Sequence, residues 1–481
     1  MLFYFKSVLC IFIAVILSFY HEDLSRLRNW IFSGRERTIL AIGILSAREN
    51  FEFRQAARSS WLQKYSSRNS DARAWFIVGN NSCEIPPEYR LNEYGCEKWK
   101  VDISGLQEKF FTANEIRTDN CSSNLEKHFY GGFSFQVNYP VVVTQLGILS
   151  PLLLQNTETK VAIMDPQSKE IIVQASVSLN KSSAVHGYLY ADVDPILLPK
   201  NFEGMILVEG YLKEKSCLDM VWNDGGGIIT FKRIYPTQEH LDSKIYSSEA
   251  KTALSIRFFV PEIAKLKRIV QEEELVTKQW FLHLEELNKR LRTEVAEKED
   301  ILIVNVTDTY RSLPAKLLKF YQWLYFNHDF SYILKTDDDS VINVAYLLQK
   351  LQEDSQFDST KAWIWSQFRK NWPLNYIGKW ADYEYQSPYY PTFPCGAAYV
   401  MSQKTALWLI ANAELLHTYQ GEDVSIGIWL SAINPNIIED DKFECDRECN
   451  FESYNRAQLS PYEVHEVWSF FEKCQNLCSC K

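Results

Sequence analysis

Apolar and polar positions change period several times along this chain. Ile39 to Leu45 is a short, almost continuous apolar run that ends at Ser46, Ala47 and Arg48, and a segment of helical spacing carrying Arg54, Arg58 and Trp61 follows it. An apolar run without alternation suits a strand buried on both faces. Trp75 to Val78 predicts a second strand, closed by Gly79. From about Gly131 to Ile234 the texture becomes short β-rich runs at 133–137, 141–144, 160–164, 171–177, 187–191, 205–208 and 228–231, which predicts a sandwich-like module. Pro261 to Lys298 reads as a charged helical stretch with an approximate apolar stripe through Leu266, Ile269, Val270, Leu275, Trp280, Leu284, Leu287 and Leu291. Strand 301–306, helix 315–325 and strand 332–334 then restore the alternation of an α/β domain with a parallel sheet, so the β-rich module interrupts that domain. The bounds expected are 1–20 for an N-terminal anchor, 21–37 for a stem, 38–102 and 241–481 for the two parts of the α/β domain, and 103–240 for the insertion.

A net charge of −10 argues against a nucleic-acid partner, because phosphate backbones are gripped by Lys and Arg stripes that this chain lacks. The apolar stretch from Ser7 to Tyr20, extended back through Leu2 to Phe5, approaches the roughly 20 residues of a membrane-spanning helix. A small-residue cleavage site is not evident around Leu17 to His21, which favours an uncleaved anchor over a signal peptide. Ten of the eleven Cys follow the anchor, and five crowd the last forty residues, as disulfides in an oxidising lumen would. Zinc is the alternative there, although Cys478 and Cys480 are spaced poorly for it. Cys83 and Cys96 bracket a polar loop that a disulfide would staple. Asn80, Asn120, Asn180 and Asn305 each open an Asn-x-Ser/Thr glycosylation acceptor, with Asn305 inside an apolar strand.

The chemistry concentrates at Asp337, Asp338 and Asp339, three carboxylates bunched where the strand through Lys335 and Thr336 stops. Adjacent anions repel, and a hard divalent cation among them relieves the repulsion; a solvated acidic turn is the bland alternative. A second constellation joins the glycine-led strand Cys395 to Ser402 with Gly421, Glu422 and Asp423 at the start of an apolar helix. Helix capping accounts for acids there, and so does a general base. Between the two sites lie Trp363, Trp365, Trp372, Trp380, Tyr383, Tyr385, Tyr389 and Tyr390, suited either to sugar rings or to a core. Asp224 to Gly227 fits no phosphate-loop spacing and reads as a hairpin turn.

The Arg-bearing helix ending at Trp61, the strand into Asp337–Asp339, the Lys379–Trp380 loop, Tyr390 and Pro391 before Gly396, and Glu422, Asp423 and Val424 together resemble the β-1,3-glycosyltransferase family that includes β-1,3-galactosyltransferases. The resemblance implies a GT-A (Rossmann-like) α/β domain in a type II protein anchored in the Golgi apparatus or endoplasmic reticulum membrane, facing the lumen. It also implies an inverting transfer of GalNAc from UDP-GalNAc to the 3-hydroxyl of a GlcNAc-terminated glycoprotein glycan, O-mannosyl-type glycans included. By similarity, Asp339 with Asp337 would hold Mn²⁺ or Mg²⁺, and Asp423, beside Glu422, would be the base. Ser46, Ala47, Arg48, Arg54, Arg58, Lys335, Asp337 and Asp338 would line the donor site, and Trp380, Tyr390, Cys395 and Gly396 the sugar or acceptor pocket. Where many members carry a metal-side His, this chain has Gln458, Leu459 and Ser460. Two other readings remain open: a β-1,3-galactosyltransferase using UDP-Gal, and a non-catalytic protein that binds glycans through the β-rich module. No oligomeric state follows from the sequence.

Overall fold

The computed structural model describes residues 36–65, 71–107, 109–117, 126–213, 218–235, 254–375, 378–446, 449–450 and 452–480. The expected anchor, nearly all of the stem and Asn120 lie outside them. Among the described residues no helix is long and apolar enough to cross a membrane.

One seven-stranded sheet organises the α/β part. Its strands in chain order are β1 (Glu36–Leu45), β2 (Ala72–Asn81), β3 (Ile301–Thr307), β4 (His328–Asp337), β5 (Trp363–Ser366), β6 (Ala398–Ser402) and β7 (Asn436–Glu439), lying side by side as β3-β2-β1-β4-β6-β5-β7. The apolar run of β1 is continuous because both faces are covered. Leu40, Ile42 and Ile44 enter one core with helices α5 (Val344–Glu353) and α8 (Pro461–Cys474), whereas Ala41 and Leu45 enter another with α4 (Leu313–Asn327). Each such Leu or Ile contributes about 1.5–3 kcal/mol when fully buried. Gly43 interrupts the run because α4 packs close there: a Cβ would sit 2.4 Å from the Phe320 ring.

The sheet is mixed, not wholly parallel as the alternation of elements suggests. β6 runs antiparallel to both β4 and β5. Among the described residues no α-helix lies between β5 and β6, and the chain returns down the sheet instead of crossing over it. That reversal brings the start of β6 to the end of β4, where the Asp cluster lies.

Between β2 and β3 the chain builds two antiparallel sheets, of five and six strands, and then helices α2 (Ile263–Gln271) and α3 (Glu273–Glu297). Both sheets feed one apolar cluster, which includes Phe111, Phe133, Phe135, Ile206 and Ile256. The final strand, Leu254–Phe259, lies beyond residue 240, where the sequence reading ended the insertion. Asp224 to Gly227 is not the expected hairpin turn. The strands on either side, Leu218–Asp224 and Ile229–Tyr235, belong to different sheets, so the turn arches between them. Three successive glycines at φ +66°, +76° and +79° make the arch, and the Asp224 carboxylate accepts from the amides of Gly226 and Gly227.

Cys83 and Cys96 are disulfide-bonded, as their spacing predicts. Cys395 is bonded to Cys445, Cys449 to Cys478 and Cys474 to Cys480, so these tail cysteines offer no thiolates to zinc. Asn80 and Asn180 are exposed, and the Asn80 amide donates to the Asn305 side-chain oxygen at 3.0 Å.

Candidate active site

Lys335 is the side chain around which the acids gather. It lies on β4, 1% exposed, with its ammonium 3.0 Å from Asp337 Oδ1, paired with Glu422 Oε1 and donating to the Gly396 carbonyl. A buried ammonium costs several kcal/mol unless paired, and two carboxylates and a carbonyl supply the partners. One step along, the Thr336 hydroxyl donates to the Ala397 carbonyl at 2.9 Å, which pins the start of β6 against the end of β4.

Glu422 and Asp423 open α7 (Glu422–Leu430), whose positive end favours acids. Capping alone does not explain them: Gly421 is the N-cap residue, and Asp423 uses Oδ1 to accept from the Val424 amide at 2.8 Å. Its Oδ2 faces Gly396, where a Cβ would come within 3.0 Å, so only glycine leaves the carboxylate this room. Burial pushes the Asp423 carboxyl above the usual range; repulsion from Glu422 adds to this and Lys335 opposes it. Asp337 is likewise raised by burial, with Lys335 opposing and Glu422 and Asp339 reinforcing. The two acidic constellations therefore share one electrostatic site.

Tyr310 and Lys379 complete a third side. The Tyr310 hydroxyl is raised by burial and then by the fields of Glu422, Asp423 and Asp337, and it is hydrogen-bonded to the Trp380 side chain. The Lys379 ammonium stands 4.6 Å from the Tyr310 ring centre and helps stabilise the Asp339 carboxylate. Trp380 is 59% exposed, a free ring face at the edge of the acids. The Lys379–Trp380 pair was visible as a motif, whereas Tyr310, in a short turn after β3, carries no sequence signal of its own.

The loop after β1 approaches from the other side. The Asp338 amide donates to the Leu45 carbonyl, and the Asn50 side-chain amide donates to the Asp338 carboxylate at 3.0 Å. Burial pushes the Asp338 carboxyl up to about 6 despite the bonds from Ser46 and Asn50. Ser46 and Ala47 thus border the acids, but the three arginines expected to grip the donor are engaged with protein. Arg54 is fully buried and spends its donors on Ser46 Oγ, the carbonyls of Ala47 and Arg48, and both oxygens of Glu294. Arg58 pairs with Glu294 and Asp300, and Arg48 bonds the Gly79 carbonyl and Asn288. Of these partners, Asn288, Glu294 and Asp300 lie on or just after α3, some 240 residues away, which no local pattern could anticipate. Arg54 therefore shapes the Ser46–Arg48 loop instead of presenting a free charge.

Two pocket assignments change in the same way. Tyr390 is buried with Leu374, Phe393 and Val424, its hydroxyl donating to Asp382 at 3.0 Å, so it supports α7 from behind. Cys395 is buried and disulfide-bonded, holding the start of β6 to Cys445.

Among the described residues, no three His, Cys, Asp or Glu side chains gather closely enough to hold an ion alone. Asp337 and Asp339, two mutually repelling oxygen donors at a strand end, fit Mn²⁺ or Mg²⁺ shared with the oxygens of a diphosphate. The segment in which a metal-side His was expected does border them: the Leu459 amide donates to the Asp339 carbonyl at 2.9 Å, and Gln458 adopts φ +57°.

The profile of the family described as Galactosyltransferase matches residues 282–440, which span α7, β4 and the turn between them and the aromatic loop. The UDP-GalNAc:beta-1,3-N-acetylgalactosaminyltransferase 2 of Xenopus tropicalis is 33% identical over 474 residues, 95% of each chain. That of Homo sapiens is 31% identical over 454 residues, 92% of this chain and 89% of its own. The Beta-1,3-galactosyltransferase 6 of Mus musculus is 28% identical over 186 residues, 38% of this chain and 57% of its own. Because likeness to the first group runs through the insertion as well as the acidic site, the chain belongs to the galactosyltransferase family of β-1,3-glycosyltransferases.

Proposed function

We propose that this chain transfers GalNAc from UDP-GalNAc, with inversion, to the 3-hydroxyl of a β-linked GlcNAc at the end of a glycoprotein glycan. The observation that carries the reading is the Lys335 ammonium joining Asp337 to Glu422, next to Asp423. It ties a diphosphate-side acid to a base candidate within one electrostatic site. The choice of GalNAc over Gal rests on near full-length likeness to relatives named for that donor.

In the transfer, the acceptor 3-oxygen forms a bond to the donor's anomeric carbon while the bond from that carbon to the β-phosphate oxygen breaks and UDP leaves. Asp423 takes the hydroxyl proton. A carboxyl raised above its usual range is the stronger base, and Lys335 favours its ionised form. Asp337 and Asp339 would hold Mn²⁺ or Mg²⁺, which would supply neutralisation of the charge developing on the departing diphosphate. Ser46, Ala47 and Asp338 border the donor, and the exposed face of Trp380, with Lys379 and Tyr310, borders the acceptor.

We read the β-rich module as a sandwich-like insertion in a GT-A domain, and the chain as a lumenal enzyme of the secretory pathway on an N-terminal anchor. Disulfides and the exposed acceptor residues Asn80 and Asn180 support that compartment.

Incubation with Mn²⁺ and a GlcNAc-terminated acceptor tests the reading. UDP should be released about tenfold or more faster from UDP-GalNAc than from UDP-Gal, a margin one pocket contact can supply. Equal or faster release from UDP-Gal would assign the galactosyl donor, and no release from either would leave a binding protein.

A further inference from the structure

We propose that Glu203, on a strand of the inserted module, is a positioning residue that holds the Gly378–Trp380 turn against the acidic site and so makes the insertion part of the acceptor-side wall. The inference rests on the transferase reading above and deepens it.

The turn is where module and site meet. Gly378 to Trp380 forms one short 3₁₀ turn, with Gly378 at φ +69° and nothing within 4 Å of where a Cβ would lie. Glycine is there for its backbone conformation and not for lack of space. The next two residues, Lys379 and Trp380, are the ones that reach Tyr310 beside Glu422 and Asp423. A small rotation of this turn therefore moves the ring face and the ammonium that border the acids.

Three side chains from outside the turn fix its backbone. Gln420, just before α7, donates to the Lys379 carbonyl at 2.7 Å, and Arg311 donates to the Ala381 carbonyl at 2.8 Å. Both belong to the α/β part. The third is Glu203, whose carboxylate accepts from the Gly378 amide at 2.5 Å. Glu203 lies on inserted strand Glu203–Lys213, and an amide bond to an ionised carboxylate is among the stronger hydrogen bonds.

A second inserted residue is aimed at the same loop. Lys232 stands 5.1 Å from the Tyr383 ring centre. It is the residue skipped by the register between strands Ile229–Tyr235 and Glu126–Val137, where Phe231 and Arg233 pair with consecutive partners. Bulges re-aim side chains, and this one turns a lysine towards the aromatic loop. Glu203 and Lys232 flank strand Glu126–Val137 in a single sheet, so one edge of the module offers an acid and a base to the loop. Both groups give up solvent at this seam. Burial raises the Glu203 carboxyl, against the Gly378 amide, Lys232 and Arg311, and lowers the Lys232 ammonium, against Glu203. A module that merely hung from the domain as a separate glycan binder would have no use for desolvated charges fitted to the turn.

Amide hydrogen exchange and kinetics on the whole lumenal chain test this together. In Glu203→Ala the Gly378 amide should exchange about tenfold faster, the size of one lost bond to a charged group. The acceptor KM should rise by a similar factor, while the donor KM and acceptor-independent UDP release change less than about twofold. Glu203→Gln keeps an oxygen for the amide and should restore most of both losses. Unchanged Gly378 exchange in Glu203→Ala, or donor and acceptor KM rising together with a drop in Tm, would overturn the proposal. The exchange measurement needs no turnover, so a wild-type chain inactive towards UDP-GalNAc would refute the function proposed above and leave this test standing.

Discussion

The ammonium of Lys335 lies 3.0 Å from the carboxylate of Asp337. This contact is the shared edge of two sites that the sequence presents as separate, because the same nitrogen also pairs with Glu422. Lys335→Met leaves the buried Glu422 carboxylate and the half-buried Asp337 carboxylate without their cation. Unfolding free energy should fall by about 3–5 kcal/mol, as when one partner of a buried pair is removed. Transfer should fall at least as steeply, and denaturant unfolding with parallel rate measurements checks both.

Asp339→Ala and Asp423→Ala should each abolish transfer while leaving thermal unfolding close to wild type. Loss of a positioned base accounts for about 10²- to 10⁴-fold in the second case. Near-normal turnover in either variant would remove the role assigned to that residue.

The pH profile carries a sign. Asp423 has a raised pKa, so it is protonated and unable to accept the hydroxyl proton on the acid side. The rate under saturating substrate should fall as pH drops through a midpoint above the ordinary carboxylate value of about 4. Lys335 pulls that midpoint down, so Lys335→Arg, which keeps the charge, should hold the acid limb near its wild-type position. An acid limb centred at or below 4 in the wild type would contradict the electrostatics described.

Glu294 ties α3 to the loop after β1. Its carboxyl is desolvated, which alone would raise it, yet hydrogen bonds from Arg54 and Arg58 hold it below the usual value. The stability it contributes is present above the unfolded value of about 4.3 and is lost as pH falls through the depressed folded value. Glu294→Ala should cost about 3–5 kcal/mol at neutral pH, since buried Arg54 loses the carboxylate it is bonded to. The gap from wild type should narrow below about pH 4, measured by urea unfolding across that range.

Chelation should stop transfer, and Mn²⁺ should restore it. Asp337 and Asp339 offer too few protein ligands to retain an ion against a strong chelator without the diphosphate. Added UDP should therefore raise the apparent Mn²⁺ affinity, read by calorimetry.

Much of this was legible before any coordinates. The strand through Ile333 and Leu334, the acids that end it and the helix opening at Glu422 all follow from local pattern, because apolar runs and helix-terminal acids report on backbone geometry directly. The antiparallel course of β6 was not, since the alternation of strands and helices elsewhere in the chain reports nothing of the direction of a strand that no α-helix directly precedes. The protein partners of Arg54, Arg58 and Tyr390 were not legible either. The three side chains are of types that suit ligand contact, but Glu294, Asp300 and Asp382 bond them; the arginine pairings span some 240 residues and leave no periodic trace, and the Tyr390–Asp382 bond, though local, depends on how the aromatic loop folds. Tyr310 was missed because a residue can border the acids through the fold alone.

The strand order also sets a schedule for synthesis. β1 pairs on one side with β2 soon after both emerge, but its other neighbour, β4, arrives about 290 residues later. At roughly 5–20 residues per second, the ribosome takes about 15–60 s to supply it. Through that interval the apolar edge of Leu40 to Leu45 has no partner strand, while the inserted module, complete in itself, is free to fold. The nascent chain is thus most exposed to aggregation at its earliest strand, and helper proteins that shield extended apolar segments would act there first.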